Sequence, residues 1–177
     1  MRKVLATLFV LAPLLAACVK AEEPLIPELK GKWGSPGILK AIDQKRQNAI
    51  QKASLKPDLP FRPEDLCRVT HVTFDKSALR VHALGFDVSL FDVTEVKREG
   101  ARLILTGSAD KKDPASAGKL ILLVHNGEVR FDEILDNRGR SLKNTRVPDG
   151  DRMRDYGANT LGDAMKLYLD VKPCPAA

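Results

Sequence analysis

From Arg68 onwards hydrophobic and polar residues alternate in short runs, the pattern of half-buried β-strands. Arg68 to Phe74 and Leu79 to Leu84 flank the turn segment Asp75-Lys76-Ser77-Ala78. An even-length turn pairs Phe74 with Leu79 and Val72 with Val81. It sets these four residues on one face and His71, Thr73, Arg80 and His82 on the other. Further strands are expected from about 86 to 97 and from 101 to 107, joined around Glu99-Gly100. Within the first, Val88 and Leu90 give way to Phe91 and Val93, a change of phase that predicts a bulge or burial on both faces. Lys119 to His125 and Glu128 to Leu135 flank Asn126-Gly127, and both turn residues accept the positive φ of a type I′ hairpin. Residues 136 to 158 are turn-rich. After a helical turn near Leu161 to Met165, Leu167, Leu169 and Val171 alternate with polar neighbours as a final strand.

Ahead of the strands the period lengthens. Ser35-Pro36 is a helix start, with serine as N-cap and proline in the first turn. Ile38, Ala41, Ile42, Ala49, Ile50 and Ala53 then keep helical spacing beside a polar face. Prolines 57, 60 and 63 make residues 54 to 66 a loop without regular structure. The expectation is a mainly β fold, with α+β as the alternative: a curled or closed antiparallel sheet of about seven strands with one N-terminal helix.

The first residues are of another kind. Arg2 and Lys3 precede an uncharged run from Val4 to Leu15, and no acidic residue appears before Glu22. Twelve residues suit the apolar region of a signal peptide and are too few to cross a bilayer, which takes about 20. The run ends in Leu15-Ala16-Ala17-Cys18, which resembles the lipobox of bacterial lipoproteins. The resemblance covers residues 1 to 18. It implies cleavage before Cys18, acylation of its thiol and new amino group, and a lipid anchor in the envelope. In that family an aspartate after the cysteine favours the inner membrane. Here Val19 stands at that position, which points to the periplasmic face of the outer membrane. The alternative is ordinary cleavage after Val19-Lys20-Ala21, which would release a soluble periplasmic protein. On the lipoprotein reading, residues 1–17 are signal, 18–35 carry the lipid and a tether, and 36–177 form one domain.

Composition agrees with a globular domain: 44% hydrophobic and 29% charged residues. Loss of Arg2 and Lys3 would lower the formal net charge from +6 to +4. An exported, mildly basic chain excludes nucleic acid as a partner and fits anionic envelope components. Three cysteines are present. With Cys18 acylated, Cys67 and Cys174 remain as an even pair in an oxidising compartment, where a disulfide is expected. If Cys67 opens the first strand and Cys174 ends the last, that bond sets the two strands side by side and closes the sheet.

Three candidate sites stand out. His71 opposite His82 places two imidazoles within reach of one metal ion, although such sites usually take three or four ligands. Arg138, Arg140, Lys143 and Arg146, continued by Arg152 and Arg154, suit phosphate or carboxylate groups, with Asp149 and Asp151 interspersed. Gly31-Lys32-Trp33 is similar to the Gly-x-Trp that opens lipocalin-like barrels, which implies a carrier of a small hydrophobic ligand. A helix rather than a strand comes after it, a departure from that family's order. No nucleophile, zinc-protease or phosphate-loop motif is present, and no cofactor is expected. The leading expectation is a non-enzymatic envelope lipoprotein, anchored by its lipid, that binds an envelope protein or an anionic glycolipid. The carrier is the runner-up, and a hydrolase of envelope polymers the third reading.

Overall fold

A computed structural model of the chain describes residues 25–56 and 59–175; the leader and Cys18 lie outside the described residues. The elements in chain order are β1 (Lys32–Gly34), α1 (Pro36–Lys52), α2 (Leu66–Val69), β2 (Thr70–Phe74), β3 (Ala78–Ala83), β4 (Phe86–Glu99), β5 (Arg102–Ser108), β6 (Ala117–His125), β7 (Glu128–Asp136), α3 (Arg152–Asp155), α4 (Leu161–Leu169) and β8 (Lys172–Pro173). The fold is mainly β: one eight-stranded antiparallel sheet in the order β7-β6-β5-β4-β3-β2-β1-β8. The order is open, and no continuous ladder joins its ends. They touch at one antiparallel bridge, Val129 to Val171, with hydrogen bonds of 3.1 and 2.8 Å. Two ends of one sheet can meet like this only if the sheet curls.

The alternation in the sequence sets the register. His71 pairs with His82, Val72 with Val81 and Phe74 with Leu79. Buried Val72, Phe74, Leu79 and Val81 face inward to join Leu103, Leu105, Leu120, Leu122 and Val129. The phase change in β4 is a bulge at Leu90: Ser89 pairs with Arg80, but Phe91 pairs with Leu79. β4 is also the corner of the sheet. Phe86 to Asp92 pair with β3, whereas Asp92 to Glu99 pair with β5.

Helix α1 begins where expected. Ser35 is buried; its hydroxyl accepts from the Ile38 N–H at 3.3 Å and donates to the Leu167 carbonyl. That second bond, with Gly37 against the Leu167 backbone, seats the start of α1 on α4.

Several expectations need correction: the sheet has eight strands rather than about seven, and α2, α3 and α4 join the single helix expected at the N-terminus. Residues 25–35 are not a tether. Leu25, Leu29 and Trp33 are buried in the core, the Leu25 N–H donates to the Phe74 carbonyl at 2.8 Å, and β1 adds a strand that alternation does not predict. Trp33 packs edge-on to Phe74 and donates to the Leu29 carbonyl, so its indole is fully used inside the domain. Leu167 and Leu169 belong to α4, not to a strand. The Thr160–Asp163 capping box starts this helix, and Ala164 and Leu169 point inward from it. Cys67 lies on α2 and not at the head of a strand. Finally, β1 stands between β2 and β8, so the strands associated with the two cysteines are not adjacent.

Candidate functional site at the seam of the sheet

The meeting of β7 with the start of β8 is written twice in the sequence. Glu128-Val129-Arg130 and Asp170-Val171-Lys172 are both acid-valine-base. With Val129 opposite Val171 in antiparallel register, each acid faces the other segment's base. Lys172 Nζ lies 3.4 Å from the Glu128 carboxylate, and Arg130 reaches the same carboxylate at 2.8 Å. Asp170 turns to accept the Phe131 N–H at 2.8 Å.

Beside this clasp lies an open cleft of about 550 Å³, walled by Glu128–Arg130, Asp170–Lys172, the first turn of α1, residues 156–158 and one side of α4. Two of its carboxylates are held ionised. Hydrogen bonds from Arg130 and then Lys172 keep Glu128 below its usual range. The Thr160 side chain, followed by the Thr160 and Asn159 N–H groups, does the same for Asp163. Such fixed charges suit recognition of a polar or charged group. They do not suit proton transfer near neutral pH, which needs a group poised there.

Cys67 and Cys174 are joined in a disulfide with Cα atoms 5.8 Å apart. The bond ties α2 to the residue after β8 and so fixes the cleft wall formed by Val171 and Lys172. The Cys174 N–H donates to the Lys32 carbonyl at 2.9 Å and docks the same segment on β1.

His71 and His82 do meet, as a stack with ring centroids 4.4 Å apart and planes at 14°. Both ring nitrogens of His82 are engaged, by Asp87 at 2.5 Å and by Thr73 Oγ1 at 3.2 Å. Parallel rings do not converge on a common point. Among the described residues, no group of three or more His, Cys, Asp or Glu side chains could hold a metal. Burial first, then the neighbouring His82 and Lys32, lowers the His71 pKa.

The basic stretch is spread over separate partners. Arg140 pairs with Asp136 at 2.7 Å, and Arg146 and Arg154 both pair with Asp149. Lys143 donates to the Asp132 carbonyl at 2.8 Å and lies over the Phe131 ring. The Arg138 N–H donates to Asp136. Arg140, Lys143, Arg146 and Arg154 are thus held by separate protein groups rather than around one shared cradle.

Compared with protein-family models, with curated proteins and with solved structures, the chain matches none.

Proposed function

We propose that the chain is an envelope-anchored, non-enzymatic lipoprotein whose curled β domain binds another envelope protein. The observation that carries the anchoring is Cys18. It comes directly after Leu15-Ala16-Ala17 and an uncharged run, and it is the one cysteine of three outside the Cys67–Cys174 pair. Val19 favours the periplasmic face of the outer membrane. A protein partner is favoured over an anionic glycolipid because Arg140, Arg146 and Arg154 already pair with aspartates. A lipocalin-like carrier has less support, since Trp33, Leu105, Leu120 and Leu122 fill the interior of the sheet.

Growth with a labelled fatty acid, comparing the wild type with Cys18→Ala, tests the anchor. Label that depends on Cys18 and fractionates with outer membrane is the expected result. Equal recovery of both proteins as unlabelled soluble material overturns it. Crosslinking in intact envelopes tests the partner. Reproducible protein adducts are expected, and a lipid that co-purifies at one copy per chain would favour the carrier instead.

A further inference from the structure

The sheet guards one of its edges closely. Along β7 the outward backbone groups find Val171, the Asp170 carboxylate, Leu142 and Arg140, each at 2.8–3.1 Å. Such covering is how proteins prevent edge-to-edge pairing. The first half of β4 is not covered in this way. β5 pairs with β4 only from Asp92 onwards. Between Phe86 and Phe91 the described residues supply no backbone partner on the side away from β3. Phe86 and Val88 are 74% and 58% exposed there, and Leu84 at the turn is 57% exposed.

Register decides which groups are free. Ala83 and Phe86 flank a two-residue turn and so form a hydrogen-bonded pair, as do Val81 and Val88. The N–H and C=O of Asp87 and Ser89 therefore point away from β3. We infer that this edge pairs antiparallel with the same edge of a second copy of the chain, centred on Val88.

Only that centre works. Asp87 then faces Ser89 of the second copy, twice by symmetry, and each such pair exchanges both backbone hydrogen bonds. Val88 meets Val88, and Phe86 meets Leu90, which is half-buried against the core cluster. Centring on Asp87 would oppose two like charges, which is destabilising. Centring on Ser89 would drive the second strand past Asp92, a position that Ser108 already occupies. With Val88 at the centre, the second copy's Leu84–Gly85 turn ends its strand before that point. Charge, apolar contact and available edge thus select one two-fold arrangement, joining two sheets through β4.

Cysteine crosslinking reads the register directly. In a non-hydrogen-bonded pair the Cα atoms lie about 4.5 Å apart, within disulfide range. The chain from residue 19 keeps every described residue and is the form to use, at up to about 1 mM because a small interface is weak. Val88→Cys is expected to give a covalent dimer, whereas Asp87→Cys alone is not. Mixing Asp87→Cys with Ser89→Cys restores it. In sedimentation equilibrium the wild type is expected to dimerise and Ser89→Pro to be monomeric. That variant loses an outward N–H and the exposed hydrogen bond from the Ser89 hydroxyl to Asp92 (3.2 Å), neither of them in the core, so its thermal unfolding should stay cooperative. Should Ser89→Pro fail to fold, Val88→Lys serves as the second monomer variant. The inference is overturned if the wild type is monomeric throughout and Val88→Cys crosslinks no better than Leu59→Cys, a loop site 82% exposed. It also fails if Asp87→Cys crosslinks alone as readily as Val88→Cys.

Discussion

Two hairpins in this sheet turn on the same backbone and differ in almost everything else. Asn126–Gly127 has φ angles of 50° and 72°, and Leu84–Gly85 has 51° and 82°. The first pair is the one that this left-handed geometry selects. The second puts a leucine where L residues with a bulky side chain are strained, and leaves that leucine in solvent. The arms differ as well. β6 and β7 bury Leu120, Leu122, Val129 and Phe131 and have their outer edge plugged. The arm that leaves the Leu84 turn exposes Phe86 and Val88 beside an uncovered edge. The first hairpin carries a bulge between Ile121 and Leu122, yet it has a favoured turn, a buried face and a covered edge, because it builds the core. The second has a strained turn, an exposed apolar face and an uncovered edge together at one place, which are the features behind the pairing inferred through β4.

The largest effect should come from removing the clamp that holds the guarded edge. Cys67→Ser with Cys174→Ser releases a closure of 107 residues in sequence, worth about 4–5 kcal/mol on chain-entropy grounds. Urea unfolding would measure it. Hydrogen exchange would localise it: the Val129 amide and its bridge partner Val171 should lose protection more than the Val81 and Val88 amides. Equal losses at both hairpins would erase the distinction between them.

Next come the side chains. Leu122→Ala removes a fully buried leucine and should cost about 2–5 kcal/mol, while Val88→Ala should stay within about 0.5 kcal/mol. Both are read from the midpoint of chemical unfolding in the monomer range. A Val88→Ala cost near that of Leu122→Ala would mean that the exposed arm supports the core after all. Exchanging the turns is the finer comparison. Leu84→Asn should stabilise by about 1 kcal/mol, and Asn126→Leu should destabilise by about 1–2 kcal/mol. A loss of stability in Leu84→Asn would show that the leucine has a structural use within the chain.

How far the fold is legible in the sequence depends on distance along the chain. Pairings across one turn are readable from alternation: Phe74 with Leu79, His71 with His82, and the bulge at Leu90. The Ser35 cap is readable from its own chemistry. The features that alternation misses are non-local or ambiguous in period. Lys32–Gly34 is too short to alternate and gains its strand from β2 and β8. Leu167 and Leu169 fit a period of two, but on α4 they pack on different sides, Leu169 in the main core and Leu167 against α1, and the Thr160–Asp163 box decides for the helix. The seam does carry a signal in the sequence, but one that only the fold makes meaningful. Glu128-Val129-Arg130 and Asp170-Val171-Lys172 are complementary only when laid antiparallel, and no local rule brings segments about 40 residues apart together. The open edge of β4 cannot be read at all, because it depends on where β5 stops.

The smallest expected effect lies on the outer face of the Leu84 hairpin and is a slope in pH. His71 stacks on His82, with Lys32 on β1 and Asp87 on β4 nearby, and burial is the main cause that lowers its pKa from the ordinary 6.5. The unfolded chain therefore takes up a proton at His71 at a higher pH than the folded chain does. As pH falls below about 6.5, unfolding gains from that proton and stability declines, until the folded-state pKa is passed and the decline stops. Above about 6.5 the contribution is complete. His71→Asn should flatten this part of the stability curve, measured as the difference from wild type at each pH. The slope is small because the imidazole remains partly in solvent. If His71→Asn leaves the curve as steep as in the wild type, burial of the stacked imidazole contributes nothing to the pH dependence of stability.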